Sequence, residues 1–156
     1  MSLKLVALLS IAIAVPAIAG TMFRLEIGPP IAAGTGTTTP QFKKKVVLVV
    51  RPRVCDNPAA VQITGTAEGL VNGLRQSVAL NLMPVDQAQG VYGVLEQWPD
   101  GGQWVLQLNG SCPSPKASAS TLVPMNRSTF IREKTQVLGE PATREQVEAA
   151  LAALVR

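Results

Sequence analysis

The chain has 156 residues, a formal net charge of +4, 47% hydrophobic and 15% charged residues, which excludes disorder over its whole length and leaves room for one domain. The charge bias is too small to imply a polyanion partner by itself. No histidine is present, which removes the usual general base at neutral pH, His-based triads and imidazole metal sites.

Lys4 precedes an apolar run from Leu5 to Val15, and Pro16-Ala17-Ile18-Ala19-Gly20 follows. One positive charge, an apolar stretch and small residues at Ala17 and Ala19 form the layout of a secretory signal over residues 1–19. The alternative is an uncleaved anchor, because nothing from Leu5 to Phe23 is charged. The short apolar core and the Ala-x-Ala site favour cleavage. Localisation is therefore expected to be periplasmic or secreted, in a bacterium.

Cys55 and Cys112 are the two cysteines, and in an exported chain they are expected to form one disulfide. Their spacing excludes a Cys-x-x-Cys redox motif, and two thiols without imidazole make a poor zinc site. Bridging them also removes the thiol nucleophiles. No catalytic residue, metal site or cofactor is expected.

Residues 20–42 are read as a flexible linker, on the strength of the Gly-, Pro- and Thr-rich stretch from Gly28 to Pro40. A β-sandwich domain is expected over residues 43–138. Lys43, Lys44 and Lys45 precede Val46–Val50, a β-branched run that reads as a buried strand. With Arg51 and Arg53 these lysines form a basic stripe, most simply solvated charge but also suited to a membrane surface or an acidic partner.

Val61–Val71 and Leu74–Met83 flank Asn72-Gly73, the signal for a type I′ hairpin. Gly65 and Gly69 in the first arm predict a bulge or close packing. In the second arm Leu74, Val78, Leu80 and Leu82 share one face, with Gln76 as the polar exception. A second hairpin is expected from Val91–Trp98 and Gln103–Ser111 around Pro99-Asp100-Gly101-Gly102. Ala119–Met125 and Phe130–Val137 read as further strands.

A helix closes the chain over residues 143–156, with Thr143 and Gln146 as a capping box. Val147, Ala150, Leu151 and Leu154 form one apolar stripe. That stripe docks onto its own domain, or else Val147, Leu151 and Leu154 form a face for a partner. The sum is a mainly β protein, an antiparallel immunoglobulin-like β-sandwich with a C-terminal α-helix.

Gly90-Val91-Tyr92, with Trp98-Pro99-Asp100-Gly101-Gly102-Gln103-Trp104-Val105-Leu106, resembles a Gly-x-Tyr … Gly-x-Trp-x-Leu signature. The signature belongs to small bacterial periplasmic β-sandwich domains of the YtkA-like and FixH-like group, and the likeness covers about residues 61–112. It implies an immunoglobulin-like core packed by aromatic residues. Some members of the group accompany copper handling or cytochrome oxidase assembly.

Two functional readings follow. The first is a non-catalytic envelope accessory that binds another envelope protein. The second is a small-ligand or copper-binding module with Met83, Met125, Tyr92, Trp98 and Trp104 as its lining, the methionines serving as soft ligands. Nucleic acid is not expected as a partner, because aromatic residues are only 4% and leave few stacking platforms. Membrane contact is expected only if the N-terminal segment stays uncleaved.

Overall fold

The computed structural model describes residues 22–30, 45–85 and 90–155. Residues 1–19, expected to be a secretory signal, together with Lys43, Lys44 and most of the Gly/Pro/Thr stretch, lie outside these residues.

Ten strands are described: β1 (Arg24–Gly28), β2 (Val46–Arg53), β3 (Gln62–Val71), β4 (Leu74–Ala79), β5 (Leu82–Pro84), β6 (Tyr92–Leu95), β7 (Gln103–Pro113), β8 (Lys116–Asn126), β9 (Thr129–Phe130) and β10 (Gln136–Leu138), followed by α1 (Arg144–Ala152). They form two antiparallel sheets. One has the order β1-β2-β6-β5; the other has β10-β8-β7-β3-β4, with β9 also paired to β8. The architecture is a mainly β sandwich with a helix on the outside of the larger sheet.

Period-2 alternation builds the core between the sheets. Leu25, Leu48, Val50 and Val94 come from the smaller sheet; Ala67, Trp104, Leu106, Leu108 and Val123 come from the larger, and all are buried in one cluster. Thr121 is fully buried among them, and its hydroxyl donates to the Leu25 carbonyl at 3.2 Å. That bond joins β8 to β1 and closes one side of the sandwich with its buried hydroxyl satisfied.

The strand β1 lies inside residues 20–42, the stretch expected to be a linker, so the sandwich takes in chain from before residue 43. The reason is legible in the residues: Phe23, Leu25 and Ile27 are buried or half-buried, whereas Arg24 and Glu26 between them are exposed. This alternation earns a place at the edge of β2 despite the breakers that follow.

The Asn72-Gly73 hairpin forms as expected, with φ of 51° and 77° at its two central residues. Its second arm is shorter than expected. The chain leaves the larger sheet at Leu80 and Asn81 and joins β6 in the smaller one as β5. Gln97 makes the crossing tolerable, because its amide accepts from Asn81 N at 3.2 Å and donates to Asn81 O at 3.1 Å. Leu74 stands beside the turn and stays 70% exposed, although it lies on the face that leads to the core.

The second expected hairpin does not form. Both of its arms are strands, but β6 pairs with β2 and β5, while β7 pairs with β3 and β8. The segment from Glu96 to Gly102 instead carries the chain from one sheet to the other. Trp98 drives this, since it plunges into the core and is only 6% exposed. Its ring centroid lies 6.4 Å from that of Trp104. Beyond β8, the strand expected over Phe130–Val137 is divided by a 3-10 turn at Arg132–Lys134.

The bridge between Cys55 and Cys112 is present, linking the end of β2 to the end of β7 across the two sheets.

Candidate functional site

The C-terminal helix is capped as expected: Thr143 Oγ1 accepts from Gln146 N at 3.3 Å, and Gln146 Oε1 accepts from Thr143 N at 2.8 Å. Its apolar stripe is taken up by the chain itself. Val147, Ala150 and Leu151 are buried against Val105 and Leu122 on the outer face of β7 and β8, with Leu154 partly buried beside them. The expectation of a partner face at Val147, Leu151 and Leu154 is corrected accordingly. Those side chains form a second, smaller core.

Polar groups fix the helix at both ends. Gln107 donates to Ala142 O at 3.4 Å, just ahead of the cap, and Gln103 donates to Leu154 O at 3.0 Å, just past the last turn. Lys134 Nζ adds a bond to Ala153 O at 2.9 Å, a cation among the unpaired carbonyls where the helix dipole favours it. On the flank, Arg75 spans Glu68 at 3.1 Å and Glu148 at 2.9 Å, tying α1 to the β3–β4 hairpin.

The end of the sandwich beside the helix C-terminus holds a cleft of about 660 Å³. Its floor includes Trp98, Trp104 and Met125, three of the five residues proposed from the sequence as lining. Each is nearly buried, so the cleft meets only a small part of these side chains. Trp104 Nε1 donates to Gly101 O at 2.8 Å, which locks the ring beneath the β6–β7 connection. Met83 and Tyr92 do not take part. Met83 pairs with Gly93 and Tyr92 with Pro84 in the smaller sheet, whereas Met125 pairs with Trp104 in the larger. The two methionines therefore belong to different sheets.

The rim is charged, with Glu96, Asp100, Arg127 and Lys134 all lining the cleft. Ser128 Oγ donates to Glu96 Oε1 at 2.9 Å, fastening the β8–β9 turn to the end of β6. Arg127, at the tip of that turn, has φ of 54°, an uncommon backbone for a residue with a side chain. None of these four rim residues is in an ion pair with another described residue. Among the described residues no group of three or more His, Cys, Asp or Glu is placed to hold a metal ion. The arrangement offers an apolar floor and side chains of both charges to whatever enters.

Sequence reasoning reached the floor but missed the rim. Asn126-Arg127-Ser128 carries only the Asn-x-Ser glycosylation pattern and the Arg132–Lys134 turn carries none, so neither points to the rim of a cleft. They become a rim because β8 and the helix bring them to the same end as Trp98.

At the opposite end, Arg24, Glu26, Arg51 and Arg53 cluster on the outer face of β1 and β2. The register sets Arg24 across from Arg53 and Glu26 across from Arg51. Glu26 bonds Arg53, and this bond, aided by the charges of Arg53, Arg51 and Arg24, holds its carboxyl below the usual range. Arg24 and Glu26 were hidden by the linker reading, though their alternation with Phe23, Leu25 and Ile27 was the available signal. Lys45 sits at the other end of β2, so the expected stripe is broken along its length.

No family model, no curated protein and no solved structure matches the chain.

Proposed function

We propose that this protein is an exported, non-catalytic, immunoglobulin-like binding module of a bacterial envelope, and that it engages another envelope protein through the cleft floored by Trp98, Trp104 and Met125. Export is supported by the layout of residues 1–19 together with the Cys55–Cys112 bridge, which suits an oxidising compartment. The immunoglobulin-like reading is supported by strand order. Taken in sequence as A, B, C, C′, D, E, F and G, the first eight strands give A-B-E-D facing C′-C-F-G. In this lettering the bridge runs from B to F, as it does in antibody domains, although it sits at the strand ends.

The observation that carries the binding site is the combination of an apolar floor with charges of both signs that are in no ion pair with a described residue. A segment of chain with its own acidic and basic side chains complements both signs and places an apolar residue against the floor. Copper is a poorer fit, because the methionines that would hold it lie on separate sheets.

The test is photo-crosslinking in cells, with the reactive group placed at Arg127 or at Asp100, and at Lys116 as a control at the bridge end, where it pairs with Pro113. A discrete protein adduct from the two cleft positions and not from Lys116 is expected. Adducts of equal yield from all three, or none from the cleft, would contradict the proposal.

A further inference from the structure

Three arginines sharing one sheet face with a single glutamate is a costly arrangement. Arg24 and Arg53 are directly opposed on neighbouring strands, where like charges repel. Glu26 compensates one of them by bonding Arg53, and both of these side chains remain nearly half exposed. Arg24 is exposed and in no ion pair with a described residue. The Nε of Arg51 is buried without a hydrogen-bond partner, an unmet demand for an acceptor. Asp56, also at this end, is already engaged by Ser114 Oγ at 3.0 Å.

The position of this patch in the chain is as telling as its charge. Arg24 opens β1 a few residues after the apolar N-terminal stretch, and the core begins at Phe23. Under the uncleaved alternative, that leaves almost no tether between the apolar stretch and the face carrying the arginines; after cleavage, the arginine face lies close to the new N-terminus. Guanidinium groups suit phosphate, with their planar fork of donors.

We propose that the outer face of the β1–β2 hairpin, through Arg24, Arg51 and Arg53, binds the phosphate groups of anionic phospholipids at a membrane surface. The bridge end of the sandwich then lies against the bilayer and the cleft end points away from it. This rests on the export reading for its biological setting, but the binding itself is a property of the folded domain.

The test uses the chain from Gly20 to Arg156 and vesicles of phosphatidylcholine with or without phosphatidylglycerol, read by co-sedimentation. Binding to the phosphatidylglycerol vesicles is expected, weakening as salt is raised. The double variant R24Q/R51Q should bind about 30-fold more weakly, and E26Q about five-fold more tightly, from the usual contribution of one basic residue near an anionic surface. Unchanged tryptophan fluorescence and melting temperature in each variant establish that the fold is intact. A variant that fails to fold is replaced by R24Q alone, expected to lose about five-fold. Equal binding by wild type and variants would overturn the proposal, and so would equal binding to pure phosphatidylcholine. Full inhibition by inorganic phosphate at matched ionic strength, or equal capture by polyglutamate, would also overturn it, by assigning the patch to a free anion or an acidic protein. N-terminal sequencing of the protein from cells tests the export reading separately, so the two can fail independently.

Discussion

The ring of Trp104 occupies the space that a side chain at position 69 would need. A Cβ built on Gly69 would stand 2.4 to 2.6 Å from three atoms of that ring, well inside contact distance. The glycine signalled close packing in the sequence, but its partner was not legible, because the pairing of Gly69 with Trp104 depends on how β3 and β7 align. Gly69→Ala forces the indole off its hydrogen bond to Gly101 and disturbs its contact with Trp98. A loss of about 1 to 3 kcal/mol is expected, measured by urea denaturation, together with an altered near-ultraviolet circular dichroism spectrum. An unperturbed spectrum and unchanged stability would show that the ring is free to move and that the cleft floor is not fixed. Trp98 teaches a related lesson. Trp98 has the same parity as Tyr92 and Val94, which points it inward, but β6 stops at Leu95, short of the Trp98 end it was expected to reach. A large side chain that must reach the core pulls its backbone out of register with an edge.

At the scale of elements, the hairpins divide by their turns. Asn72-Gly73 dictates a two-residue reversal, and the reversal is there. Pro99-Asp100-Gly101-Gly102 permits a turn without fixing its pairing, and the chain uses it to change sheets. Strand β1 was missed because composition after Gly28 outweighed alternation before it. The helix was legible to its capping box, while the choice between its own domain and a partner was not, since one stripe serves either. The outer face of β7 decides the matter. Gln103 and Gln107 bracket Val105, so the strand presents an apolar strip between two donors that meet the two ends of the helix. Leu151, 1% exposed, is central to that contact. Leu151→Ala should cost about 2 to 5 kcal/mol in urea denaturation and leave the crosslinks from the cleft in place. A variant as stable as the parent would contradict the packing described here.

The whole molecule has two ends with different chemistry. One holds the bridge, the arginine face and the start of β1; the other holds the cleft and the end of α1. The direction of β7 sets them apart, since it runs from Gln103 at the cleft to Cys112 at the bridge. Class, bridge and terminal helix could be read from the residues, because periodicity, cysteine count and capping are local signals. The two-ended arrangement could not, because it arises from strand order, and strand order depends on contacts between residues far apart in the chain. In the chain-entropy model, a bridge spanning 57 positions contributes roughly 4 kcal/mol, enough to matter to a domain of this size. All of this presupposes folding where the bridge can form. The most direct measurement is the intact mass of the protein recovered from its own cells and treated with an alkylating agent before any reduction. The predicted result is a chain beginning at Gly20 that takes up no alkyl group until it is reduced. A chain beginning at Met1 that takes up two alkyl groups without reduction would contradict it.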